Sequence, residues 1–206
     1  MINVVEDLTV EFSEQANDII NQKIETFVSS MTEKRQSASY YAKNRNTTFD
    51  KAKEDIFLGK KSEFFAAAAL TKYFDFPQTT PDLEVRKGSK KGWDKDLQYD
   101  ENHPSIHVKS CSKKTFNYCN DYSWTFQKSN NNGIGGRDEV LDSKDNDLIV
   151  LMYLDNPKDK KAIVKAILPR TSIIPYLKLP KKLTLINLKR CLYYQDLLEM
   201  KTITSN

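Results

Sequence analysis

The stretch "GWDKDLQYDENHPSIHVKSC", residues 92–111, decides how the chain is read. Successive side chains of a strand point to opposite faces, so Asp96 and Gln98 share one face while Leu97 and Tyr99 share the other. Asp94 has the same parity as Asp96. In "SIHVKS" the alternation predicts a second strand whose Ile106 and Val108 enter a core and whose His107 and Lys109 stand together on the opposite face. The turn-rich "DENHP" between the two runs predicts a hairpin. A carboxylate, an imidazole and an amine would then meet on one surface, which makes this hairpin a candidate active site.

Toward the N-terminus, after a short opening strand, Ser13 is placed to cap a helix along which Ile20, Ile24, Phe27 and Met31 recur at helical spacing. The polar, basic run from Thr32 to Thr48 has no clear period and reads as a loop or a surface-lying helix near a substrate. A second helix is expected from Phe49 or Asp50 to Phe74, with Gly59 as a break or point of close approach and a run of alanines that permits tight packing. Beyond Pro77 the texture turns to strands: "DLEVRK", the two strands of the hairpin, and "YSWTFQ". Within the last, Trp124 and Phe126 read as packing residues. The Asn-, Gly- and Asp-rich 128–147 is expected to be a mobile loop; it lacks the GxxxxGK[ST] pattern of a phosphate cradle. "DLIVLMYL" and "KAIVKAIL" follow as strands joined by a turn at "NPKDKK", and the proline-interrupted C-terminal part ends in a short helix. Strands bracketed by helices predict one mixed α/β domain over 1–206: an N-terminal helical and basic region (1–50), a core (55–155), and C-terminal strand and helix elements (156–206).

Composition narrows the class. Of 206 residues, 39% are hydrophobic and 11% aromatic, which is globular rather than disordered, and the longest apolar runs are too short to span a bilayer. No basic start followed by an apolar block opens the chain, so a cytoplasmic protein without a membrane partner is expected. Three cysteines without framework spacing suit reduced thiols. A net charge of +4 permits an acidic partner without demanding one. The basic residues cluster with aromatic and hydroxyl neighbours: Lys34, Arg35, Lys43 and Arg45 beside Tyr40 and Tyr41, then Lys87, Lys90 and Lys91, then Lys113 and Lys114. Such clusters fit a phosphate backbone, or simply a solvated face. A zinc site from His103, His107, Cys111 and Cys119 is disfavoured by geometry: positions 107 and 111 of one strand lie about 13 Å apart, whereas zinc needs donors within about 2.3 Å.

Taken in order, "GKKSEFF", "DKDL", "HVKS", "SWTFQ" and "DLIVLMYLD" resemble the PD-(D/E)XK nuclease superfamily over residues 55–155, about half the chain. The resemblance implies a restriction-endonuclease-like fold, a mixed central β-sheet flanked by helices. Gly59 and Glu63 resemble the family's helix element, Asp96 its hairpin aspartate and Lys109 its lysine. His107 stands where the family has Asp or Glu. The implied activity is metal-dependent DNA hydrolysis, with Asp96, Glu63 and the Val108 carbonyl around Mg²⁺, or with Mn²⁺ favoured by the nitrogen of His107. Lys109 would orient the attacking water, His107 would complete the metal shell or act as a base, and Gln127 would contact phosphate or support the site. Asp94 is the alternative ligand; Pro81–Asp82 ranks below Asp96 because it lies 25 residues before His107 rather than 11. The family further implies DNA as partner, a symmetric homodimer and a bacterial or phage-infected cell. Two other readings stand beside it: a non-cleaving nucleic-acid-binding or inhibitory protein whose site was lost at His107, and a protein-interaction module.

Overall fold

The run Leu148–Leu154, apolar at every place but Tyr153, forms an interior strand of the main sheet in the computed structural model. The structure describes residues 2–33, 48–84, 96–97, 99, 103–113, 120–128 and 138–204. The strands are β1 (Leu8–Glu11), β2 (Ile106–Ser112), β3 (Ser123–Gln127), β4 (Leu148–Leu154), β5 (Lys161–Pro169) and β6 (Lys189–Tyr193). The helices are α1 (Glu14–Glu33), α2 (Phe49–Phe74), α3 (Arg170–Ile173) and α4 (Tyr194–Thr204).

The main sheet has the order β1-β5-β4-β2. β1–β5 and β5–β4 are antiparallel, whereas β4–β2 is parallel, so the sheet is mixed. The β4–β5 hairpin turns where "NPKDKK" was expected to turn, held by Lys158 N–H on Asn156 Oδ1 (3.0 Å) and Asn156 N–H on Asp159 Oδ2 (3.2 Å). β3 leaves this sheet and pairs with β6 as a separate antiparallel ribbon.

Both faces of the sheet are covered. Ile106, Leu148, Val150 and Met152 meet α2 through Phe65, Ala66, Ala69 and Leu70, the small alanines letting the helix approach closely. α1 packs on the outside of α2 through Ile24, Phe27 and Met31 against Phe57 and Phe64. On the opposite face Cys111, Ile149 and Leu151 meet Trp124, Phe126, Leu192 and Leu197 from the β3–β6 ribbon and α4. Trp124 is fully buried, and its Nε1–H donates to the Met152 carbonyl at 2.9 Å, tying the ribbon to β4. Burying a large apolar side chain contributes roughly 1.5–3 kcal/mol, so the two cores hold the layers together. No helix among the described residues is long and apolar enough to cross a membrane.

The cap expected at Ser13 forms, and Thr48 caps the second helix. Ser13 Oγ accepts from Ala16 N–H (3.2 Å) and Thr48 Oγ1 from Lys51 N–H (3.2 Å). Gly59 is corrected: α2 runs through it without a break, and nothing lies within 4 Å of where its Cβ would be, so it is neither break nor close approach. A single glycine costs a helix only about 1 kcal/mol, which 26 residues of packed helix outweigh. The expected strand at 82–87 is not formed at residues 82–84. The first strand of the 92–111 hairpin reduces, among the described residues, to an isolated antiparallel bridge between Leu97 and Ile106. Tyr122 packs edge-on against Tyr153 and Tyr194.

Candidate functional site

Strand parity holds in β2, but the exposure expected for it does not. Ile106 and Val108 face α2, while His107 and Lys109 project to the other side, which the β3–β6 ribbon covers. His107 is therefore only 4% exposed and the Lys109 side chain 23%. A two-sided core leaves β2 no open polar face, because each layer must bury its apolar surface against a neighbour.

Asp96 borders the Leu97–Ile106 bridge. Its N–H and that of Leu97 both reach the Ile106 carbonyl (3.2 and 3.3 Å), and its Oδ2 accepts from Val108 N–H at 2.6 Å. A carboxylate thus takes the hydrogen bond that a backbone carbonyl would take in a continued ladder. The same contact fixes Asp96 at the edge of β2. The backbone of Val108, expected to offer its carbonyl to a metal ion, is tied to this edge through its N–H.

Glu63 approaches from α2 and is 5% exposed. Its carboxyl is pushed up to about 8, first by burial and then by the negative charge of Asp96, with Asp82 adding a smaller push. Lys60 opposes this, donating from Nζ to Glu63 Oε2 at 2.8 Å, yet burial and the neighbouring acid outweigh it. Asp82, ranked below Asp96 by sequence, is therefore electrostatically part of the Glu63 surroundings.

Two acids that sequence reasoning missed face β2 from the other side. Lys109 Nζ donates to Asp138 Oδ2 at 2.7 Å and lies 5.8 Å from the centre of the Phe126 ring. Asp138 is itself held: its N–H donates to the Gln127 carbonyl (2.9 Å) and its Oδ1 accepts from Val140 N–H (3.2 Å). Gln127 thus supports Lys109 through its backbone. His107 Nε2 stands 3.6 Å from Asp147 Oδ2, too far for a hydrogen bond, and this buried nitrogen has no partner. Burial lowers the His107 pKa, Lys109 adds to that, and the charges of Asp96, Asp147 and Asp138 oppose it. The signal for Asp138 and Asp147 was present only as acids in the middle and at the end of the Asn-, Gly- and Asp-rich segment.

Glu63 and Asp96 are thus coupled, Asp96 binds the backbone of β2, and His107 and Lys109 lie on the far side of that strand with acids of their own. Among the described residues no three His, Cys, Asp or Glu side chains converge as a metal-holding group. Glu63, buried, and Asp96, half-buried, are carboxylates whose negative charges oppose each other, and hard oxygen donors of this kind are what a divalent cation would require. His103 packs beside the rings of Phe76 and Tyr99, and Cys111 is buried in the ribbon-side core, so neither joins His107 in a zinc site. Lys113 is exposed at the end of β2. Lys34, Arg35, Lys43, Arg45, Lys87, Lys90, Lys91, Asp94, Lys114 and Cys119 lie outside the described residues.

No protein-family model matches the chain, and no curated protein or solved structure is significantly similar to it.

Proposed function

We propose that the chain is a metal-dependent DNA endonuclease on a restriction-endonuclease-like plan. The observation that carries the reading is the buried Glu63 carboxyl, raised to about 8 beside Asp96, with Lys109 one residue beyond the amide that Asp96 binds. Glu63 and Asp96 would hold Mg²⁺ or Mn²⁺, which when bound supplies Lewis-acid polarisation of a phosphoryl oxygen and a more acidic water. Lys109, held by Asp138 on the ribbon side of β2, would reach charge developing on the phosphate around the strand edge that Asp96 occupies. His107 serves here as a buried neutral packing group beside Asp147 rather than as a ligand. The basic clusters of the sequence, and a symmetric dimer, belong to this proposal as means of holding a duplex.

The rival, a non-cleaving nucleic-acid-binding or inhibitory protein, draws on one observation: the imidazole at the family's acidic position is buried against Asp147. Cleavage of supercoiled plasmid and of single-stranded DNA with Mg²⁺, Mn²⁺ or EDTA, beside Lys109→Ala and Asp96→Asn, separates the two. Metal-dependent cutting lost in both variants supports the nuclease. Salt-sensitive DNA binding without cutting under any metal favours the rival, and full activity in either variant removes the proposed site.

A further inference from the structure

Strand β6 and the segment leading into it form a surface that the acidic site leaves unexplained. From Thr171 to Tyr194 the chain contains no Asp or Glu but five basic residues: Lys178, Lys181, Lys182, Lys189 and Arg190. The same run exposes Leu179, Leu183 and Leu188, half of the six large apolar side chains exposed among the described residues, with Leu183 80% exposed. Isolated surface leucines are ordinary, but three of them interleaved with lysines in one short run mark a contact surface. Lys178 pairs with Asp196, Lys181 stands near Asp121 and Lys189 Nζ reaches Thr125 Oγ1 at 3.4 Å; Lys181 and Lys182 are exposed, Lys189 and Arg190 half-buried.

The run is also held in place. Lys181 N–H donates to the Tyr193 hydroxyl at 2.7 Å, and its Nζ lies 4.7 Å from the centre of that ring. A 3₁₀ turn at Leu183–Leu185 sets Leu183 outward, and Leu188 N–H closes back on the Leu185 carbonyl at 3.0 Å. The β3–β6 ribbon connects this run to the candidate site. Arg190 is the register partner of Phe126, whose ring lies beside Lys109. Lys128 N–H bonds the Leu188 carbonyl, one step beyond the Gln127–Lys189 pair.

We infer that residues 179–190 are a nucleic-acid backbone surface, with Lys181, Lys182, Lys189 and Arg190 on phosphates and Leu183 packed against sugars or base edges. The choice of polyanion rests on the function proposed above. An anionic bilayer has cation and leucine partners of the same kind, but Arg190, paired with Phe126 on the face that carries Lys109, extends the basic run toward the candidate site and favours a chain-like polyanion.

The test is binding of fluorescein-labelled duplex and single-stranded DNA by anisotropy, from about 50 to 200 mM salt. The full chain is compared with Lys181→Ala/Lys182→Ala and with Leu183→Ser; vesicles of phosphatidylserine and phosphatidylcholine serve as the lipid probe. Both lysines are exposed, and thermal melts of the variants check that folding is intact. The double variant should bind duplex about tenfold or more weakly, with a salt slope smaller by about 2, because each lost phosphate contact removes close to one released counterion. Leu183→Ser should weaken binding a few-fold at unchanged slope. Unchanged affinity and slope in the double variant, or vesicle binding without DNA binding by the wild type, overturns the inference. Binding through this surface without any cleavage supports it and removes the nuclease, whereas cleavage with undiminished affinity in the double variant does the reverse.

Discussion

Replacing Glu63 by Gln keeps the shape of the buried side chain and removes only its titration. In the folded chain burial, and then Asp96, move this carboxyl from 4.5 to about 8. The folded state therefore holds a proton that the unfolded state has released between those values. The sign follows: the unfolded chain binds fewer protons in that window, so stability falls as pH rises through it and the full cost is present above about pH 8. At about 1.4 kcal/mol per pH unit, a window of three to four units is on the order of 5 kcal/mol. Relaxation around the charge and the Lys60 contact reduce what is measured, so a cost of about 2–5 kcal/mol is expected in the wild type. Urea unfolding followed by the fluorescence of buried Trp124, at pH 5 to 9, reads the difference. With a slope of about 2 kcal/mol per molar, the variant and wild-type midpoints should nearly coincide at pH 5 and separate by about 1–2.5 M at pH 9. Lys61, fully buried and pushed down to about 8 by burial, changes stability in the opposite sense between about pH 8 and 10.5, but it is common to both proteins and cancels. A gap that stays constant with pH would refute the assignment. If the Glu63–Asp96 pair takes a divalent cation, Mg²⁺ at pH 8 should stabilise the wild type more than the variant.

Three further outcomes follow from the same geometry. His107 is held neutral by burial, so the unfolded chain takes up its proton first on acidification and stability is lost below about pH 6.5, by at most about 1.4 kcal/mol per unit; His107→Gln should flatten this acid limb in a urea-versus-pH series, and an unchanged limb would place the loss elsewhere. Asp138→Asn removes the charge that orients Lys109; if the chain cleaves DNA, kcat should fall about 10- to 100-fold with KM little changed, and a pure KM effect would argue that Lys109 binds substrate without acting in the chemistry. Gly59→Ala, in mid-helix with open space at its Cβ, should raise stability by about 0.5–1 kcal/mol in the same urea assay, and a loss would mean that the glycine is required.

The alternation in "SIHVKS" gave the right parity for His107 and Lys109, because strand geometry fixes which side chains share a face. It could not give their burial, since whether a face meets water depends on β3 and β6, which come later in the chain and pair with each other. The apolar run of β4, the turn before β5, the cap of α1 and the start of α2 were legible for a similar reason: each is decided by residues within a few positions of one another. Asp138 and Asp147 were not, being brought to Lys109 and His107 across 29 and 40 residues of sequence. Gly59 misled because a local propensity was weighed without the packing that overrides it. The acid-free run from Thr171 to Tyr194 was readable in the sequence and was passed over, because a lack of acids is less conspicuous than a cluster of lysines.

The pairing of β3 with β6 bears on the order in which the molecule assembles. Ser123 meets Tyr193 and Gln127 meets Lys189, so the ribbon closes a loop of more than 60 residues, whereas β4 and β5 are joined by a short turn. Loop-closure entropy makes such distant partners slow to find one another, and local hairpins form first. The Gln127 carbonyl that seats Asp138 belongs to β3, so the salt bridge to Lys109 awaits the arrival of β6. A half-folded chain can thus hold its hairpin and helices while the amine of Lys109 is still unaimed, and Lys109 takes its orientation only with the closing of the ribbon.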